Sequence, residues 1–245
     1  YPQSGVDANS VGVMLKIAGL QRVTLLDYPD RIAATVFLAG CNLDCPYCHN
    51  RWMIRAEAVQ PALSMEELLA WLATRVGRLD GVCVSGGEPT LNADLDDLLR
   101  AIKGLGFAVK LDTNGILPRR LDALLDQCLV DYVAMDIKAP LDERYSAVAG
   151  VPVEVGRLRE SMRLVRQLAP DYEFRTTVGP QLDAQALEEI ARALDGHDPW
   201  FLQPYLETPE IPPTLRGRPA LGAEELARLV GRLRQWSPTV TVRGG

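Results

Sequence analysis

From position 15 onward the chain alternates short apolar runs, rich in β-branched residues, with longer stretches whose apolar residues recur every three or four positions. The first pattern predicts buried strands and the second amphipathic helices. "IAATVFLA" (Ile32 to Ala39) is the first such strand, and "SMEELLAWLATRV" then carries Leu68, Leu69, Leu72 and Val76 on one face. Ser64 and Glu67 have the spacing of a capping box at that helix's start. "GVCVS" (Gly81 to Ser85) predicts the second strand, before a helix that stacks Leu95, Leu98, Leu99 and Ile102 and stops at Gly104. "FAVKLDT" (Phe107 to Thr113) precedes a helix carrying Leu121, Leu124, Leu125 and Cys128, and "DYVAMDIK" (Asp131 to Lys138) one carrying Leu158, Met162, Val165 and Leu168. "YEFRTTV" (Tyr172 to Val178) precedes Leu187, Ile190 and Leu194, and "WFLQPY" (Trp200 to Tyr205) precedes Leu226, Leu229, Val230 and Leu233.

Six strand–helix units imply an α/β fold with a parallel sheet covered by helices, because a helix supplies the length each crossover needs. Six units fall short of the eight that close a full barrel, so an open, curved barrel with a lateral gap is expected. The Pro-rich "ETPEIPPTLRGRP" (Glu207 to Pro219) predicts a surface loop, and no internal repeat is evident. Tyr1 to Val13 are polar and aperiodic; residues 1–13 are read as a disordered or artificially added extension, with Met14 as the natural start and 14–245 as one domain.

Composition narrows the function. With 245 residues, 47% of them hydrophobic, the chain can bury a substantial core. Its five cysteines, three of them within eight positions, form no evenly spaced disulfide framework and favour a reducing cytosol. No apolar run reaches the roughly 18 to 20 residues of a membrane span, and no secretory leader pattern appears, so a cytoplasmic protein without a membrane partner is expected. A net charge of −6 argues against nucleic acid and for a protein or small-molecule partner.

In a parallel α/β domain, ligands sit at the carboxyl ends of the strands. The residues there are polar and unusual: Cys41, Cys45 and Cys48 after the first strand, "SGGEP" (Ser85 to Pro89) after the second, "DTNG" (Asp112 to Gly115) at the third and "MDIK" (Met135 to Lys138) at the fourth. Thiolates at i, i+4 and i+7 of a loop can converge on one soft-metal centre, and three of them leave one iron of a [4Fe–4S] cube open to a substrate or cofactor. The alternative, a structural zinc site, wants four ligands; His49 is at hand, but its place beside Cys48 makes tetrahedral ligation by both awkward. Cys83 and Cys128 lie in apolar patterns and read as buried packing residues. His197, in a "DGHDP" turn, reads as surface.

"CNLDCPYC" fits the CxxxCxxC signature, and through it the chain resembles the radical S-adenosylmethionine enzymes over nearly all of Met14 to Gly245. The resemblance is closest to activating enzymes of glycyl-radical proteins, and "LQRVTLLDYPDRIAATVFLAGCNLDCPYCHN" looks like the short activating proteins of anaerobic ribonucleoside-triphosphate reductase. It implies a partial (β/α)6 barrel, agreeing with the count of units, and assigns Cys41, Cys45 and Cys48 as the catalytic ligands of a [4Fe–4S] cluster that binds S-adenosylmethionine. Tyr47 would pack near the adenine. Gly86, Gly87 and Glu88 would line the methionine amino group. Lys138 would pair with the cofactor carboxylate, Asp136 would help place its ribose or amino end, and Arg175 would reach it. Asp112, Thr113 and Asp136 would surround a monovalent cation. A later "PY" is followed by His in the family and by Leu206 here, where Gln203 would substitute.

The implied reaction is reductive cleavage of S-adenosylmethionine to a 5′-deoxyadenosyl radical, which takes hydrogen from a glycine Cα of the partner enzyme. A low-potential donor such as flavodoxin or ferredoxin would supply the electron. Three alternatives stay open: a pyruvate formate-lyase-like partner; a small-molecule radical enzyme of the deazaguanine-building kind, whose cysteine spacing is commonly altered; and a non-catalytic iron–sulfur or zinc protein.

Overall fold

Aliphatic and β-branched side chains favour extended backbone with both faces covered, and each of the six apolar runs forms a strand in the computed structural model. The structure describes residues 14–207, 211, 215–217 and 221–243. Strands β2 (Ala33–Leu38), β3 (Gly81–Gly86), β4 (Ala108–Thr113), β5 (Tyr132–Asp136), β6 (Tyr172–Val178) and β7 (Trp200–Pro204) lie parallel in chain order. Two strands that periodicity did not mark complete the sheet. β1 (Ile17–Thr24) runs antiparallel to β2, and β8 (Thr241–Val242) lies parallel to β7. β1 is an irregular edge strand with Gln21, Arg22 and Val23 exposed, and β8 has two exposed residues, so neither carries a hydrophobic signature.

The sheet runs in order from β1 to β8, and its two outer strands do not pair with each other. Its curvature shows in the inward side chains: Arg175 on β6 reaches across β5 to Asp112 on β4. The barrel is therefore open along one side.

Helices α1 (Met65–Ala73), α2 (Leu95–Gly104), α3 (Pro118–Asp126), α4 (Arg144–Ala149), α5 (Val155–Leu168), α6 (Ala184–Ala193) and α7 (Ala223–Leu233) occupy the crossovers. The capping box is present as expected, with Ser64 accepting from the Glu67 N–H and Glu67 from the Ser64 N–H. Leu95, Leu98, Leu99 and Ile102 are all fully buried, as the 3.6-residue period requires. Among the described residues no helix is long and apolar enough to cross a membrane.

Some expectations fail, each for a local reason. α1 ends at Ala73, so Val76 falls beyond it and is exposed; Leu168, on the last turn of α5, is 45% exposed. Cys128 is not a packing residue: α3 has ended, the residue adopts a left-handed φ of 54°, and its thiol faces solvent. Cys83 is buried as expected. The Pro-rich segment lies partly outside the described residues, yet its Ile211 is fully buried, so it is not wholly a surface loop. Residues 1–13 lie outside the described residues.

Leu99→Ala should lower the stability of the metal-free protein by about 2–5 kcal/mol, and Leu168→Ala by no more than about 0.5 kcal/mol. Urea unfolding of both variants measures this; equal losses would contradict the assigned faces of α2 and α5.

Candidate active site

Beyond β2 the chain enters the loop that carries three thiols, and backbone contacts hold each part of it. The Gly40 and Cys41 N–H groups donate to the carbonyls of Met53 (2.8 Å) and Ile54 (3.0 Å), and the Asp44 N–H donates to the Ala149 carbonyl at the end of α4 (3.0 Å). Arg51 donates to the Cys45 carbonyl (2.8 Å) and pairs with Asp44 (2.6 Å). The Leu43 N–H donates to Cys41 Sγ (3.4 Å) and the Asn50 N–H to Cys48 Sγ (3.3 Å), an arrangement that stabilises negative sulfur. Burial pushes the Cys41 and Cys45 thiols up, so each is a neutral thiol while it has no positive partner on sulfur.

The diglycine turn after β3 is packed against this loop. Gly87 N–H donates to the Leu38 carbonyl (2.9 Å) and Glu88 N–H to the Gly40 carbonyl (2.7 Å). A Cβ on Gly87 would stand 2.1 Å from the Gly40 oxygen, so the close approach admits only glycine.

Gly86 and Gly87 line the cavity at the strand ends, but Glu88 does not. Its carboxylate turns inward, wholly buried, and accepts from Thr113 Oγ1 (2.8 Å), the Asn114 N–H (2.7 Å), and the Thr90 N–H and hydroxyl. Burial raises its pKa against the pull of those donors. The side chain joins the turns after β3 and β4.

The same cavity, about 240 Å³, is lined by the three cysteines and by Tyr47, Asp112, Thr113, Asp136, Lys138 and Arg175. Arg175 sits between the two aspartates, 3.1 Å from Asp112 and 2.9 Å from Asp136; Asp136 also holds Lys138 at 3.1 Å, and Asp112 holds Lys110. Burial opposes ionisation of Asp112 and Asp136, but Arg175 together with Lys110 or Lys138 outweighs it and keeps both carboxyls below their usual range. Thr113 is committed to Glu88, and its hydroxyl also accepts from the Gly115 N–H (3.1 Å). Asp112, Thr113 and Asp136 are thus already partnered where a monovalent cation was expected.

Tyr47 is buried in the wall with Tyr145 of α4, whose hydroxyl accepts from the Lys138 N–H (3.2 Å). Gln203 lines the cavity and Leu206 is exposed; the His49 ring lies 5.9 Å from that of Tyr205.

Compared with known proteins, residues 35–194, from β2 to the end of α6, match the profile of the Radical SAM superfamily. The chain belongs to the radical SAM superfamily. It is 32% identical over 196 residues to a Methanocaldococcus jannaschii protein named as a glycyl-radical enzyme activating enzyme, covering 77% of this chain and 79% of that one. It is 45% identical over 84 residues to a 7-carboxy-7-deazaguanine synthase of Hyperthermus butylicus, 34% of each chain. Among solved structures, Streptococcus suis SuiB bound to S-adenosylmethionine superposes with a TM-score of 0.65 at 16% identity, over 84% of this chain and 48% of that one; this likeness concerns the fold.

Radical SAM enzymes use a [4Fe–4S] cluster and S-adenosylmethionine, and the residues present fit both. Three thiols face one cavity, two with N–H donors on sulfur, and Gly86 and Gly87 line its wall. Two residues escaped the sequence reading: Tyr145, and Lys110, a lysine in mid-strand two positions before Asp112 and hence on the same inward face.

Gly87→Ala should drive the turn off the Gly40 carbonyl and lower cluster affinity by about tenfold, the scale of loss when a metal ligand's support is removed. Gly104→Ala, whose added Cβ meets open space, should retain the cluster. Iron and sulfide content after anaerobic reconstitution measures both, and full iron in Gly87→Ala would show that the packed turn does not hold Cys41.

Proposed function

We propose that this radical SAM enzyme generates a glycyl radical on a partner protein, and that the partner is anaerobic ribonucleoside-triphosphate reductase. When bound, the reduced cluster and S-adenosylmethionine supply the 5′-deoxyadenosyl radical that takes hydrogen from the glycine Cα. The observation that carries the reading is the convergence of Cys41, Cys45 and Cys48 with the Asp136–Lys138 pair and Arg175 around one cavity.

The chain's own residues bind and orient. Lys138 offers an ammonium to a carboxylate, the Gly86–Gly87 backbone lies against an amino group, and Tyr47 gives the adenine an apolar wall. Such positioning matters because a primary alkyl radical attacks whatever lies nearest. The open side of the barrel suits a peptide loop, and exposed Trp52 and Leu206 stand on the loops at this rim as apolar contacts for it. Similarity to a protein named for activating glycyl-radical enzymes supports this class of partner. A flavodoxin or ferredoxin would deliver the electron, and the reaction would take place in the cytoplasm.

The similarity to a 7-carboxy-7-deazaguanine synthase favours a second reading, a small-molecule substrate, although it spans a third of the chain.

Reconstituted and reduced wild type should form 5′-deoxyadenosine from S-adenosylmethionine, and Cys45→Ala should form none. With the reductase present, a glycine-centred doublet should appear in its electron paramagnetic resonance spectrum. Cleavage without a doublet would remove the reductase as partner, whereas no cleavage by a fully loaded cluster would overturn the catalytic reading itself.

A further inference from the structure

Asp112 and Asp136 are the acidic groups of the cavity wall, and every one of their oxygens already has a donor. Asp112 Oδ1 takes the Lys110 ammonium and lies 3.6 Å from Cys83 Sγ, while Oδ2 takes the Ser85 hydroxyl (3.0 Å) and Arg175 (3.1 Å). Asp136 gives one oxygen to Arg175 (2.9 Å) and the other to Lys138 (3.1 Å). Charges therefore alternate along Lys110, Asp112, Arg175, Asp136 and Lys138. Three cations against two anions leave one net positive charge, facing the place a ligand carboxylate would take.

Lys110 is the member of this chain that does not line the cavity. It is 1% exposed, between Cys83 Sγ (3.8 Å) and the Tyr132 ring (5.9 Å), and no solvent contact accounts for its charge. We propose that the Lys110 ammonium is a built-in counter-cation, so that the enzyme holds its S-adenosylmethionine pocket in charge balance without a bound potassium or sodium ion. An ammonium and a potassium ion carry the same charge, and a compact ammonium acts as a point charge. An additional mobile cation would double the net charge of the chain and compete with a donor already on each carboxylate oxygen. Lys110 is thus a positioning residue. It fixes Asp112, which with Asp136 fixes Arg175, while Asp136 holds Lys138 at the cavity wall. The inference rests on S-adenosylmethionine binding, which family membership carries, and not on which substrate meets the radical.

The test measures S-adenosylmethionine affinity of the cluster-loaded full chain by equilibrium dialysis, in potassium, sodium or tetramethylammonium chloride at equal ionic strength. Wild type should bind within about twofold in all three. Lys110→Ala should bind about tenfold more weakly in tetramethylammonium, as when the support of a ligand-binding group is lost, and recover in potassium, which can enter the vacated space. Lys110→Met, which fills that space with an apolar chain, should stay weak in every salt.

Wild-type affinity that falls about tenfold in tetramethylammonium would overturn the proposal, since a mobile cation would then be required. Lys110→Ala that binds like wild type, or is equally weak in every salt, would also overturn it, the second because the lysine would then be only structural. Should Lys110→Ala lose its cluster, the wild-type comparison still decides.

Discussion

The constraint on which the site depends is that a buried charge must be paired. Lys110, Asp112, Arg175 and Asp136 stand inside a barrel where an unmatched ion is several kcal/mol unfavourable, and each is matched by its neighbours. Removing Asp112 would leave Lys110 without its carboxylate, and removing Asp136 would do the same to Lys138, so the pairs depend on one another. That mutual dependence fixes the Arg175 guanidinium and, through Asp136, the Lys138 ammonium at the cavity wall.

Sheet register supplies the pairing without special geometry. Cys83 and Lys110 are partners across β3 and β4, and Asp136 and Arg175 are partners across β5 and β6, so their side chains meet because the strands do. Lys110 and Asp112 are two apart on one strand and share a face. The alternate positions Val109, Leu111, Val133, Met135 and Phe174 are buried and apolar, under the covering helices. A shift of one residue in any strand would send the charges into that apolar layer, which makes the register unambiguous.

This alternation explains what was legible. The six parallel strands, the helix faces and the cavity-lining Cys41, Cys45, Cys48, Gly86, Gly87 and Lys138 could be read because each follows from period or from position at a strand end. β1 and β8 could not, since an irregular edge strand and a two-residue strand carry no pattern. A motif reports which residues come together and not which way a side chain turns; at Glu88 four donors from Thr90, Thr113 and Asn114 draw it inward. Lys110 went unread because a lysine inside an apolar run looks like an interruption until its Asp112 partner is placed.

The same pairing closes the opposite end of the barrel. Glu173, fully buried, accepts from the Tyr132 hydroxyl (2.9 Å) and pairs with Arg243 (2.7 Å), whose guanidinium also stacks on Phe201 at 3.6 Å. Tyr28 packs against Tyr132 at 5.8 Å and is covered by Arg31 at 5.2 Å. The floor is thereby sealed by aromatic rings and ion pairs, and β8, short as it is, carries the chain to Arg243 and completes the seal. The cavity that the cysteines line lies at the other end, where the parallel strands finish. Asp136, Lys138 and Arg175 line it beside the three thiols, so the charges that pairing fixes stand in the same wall as the cysteines.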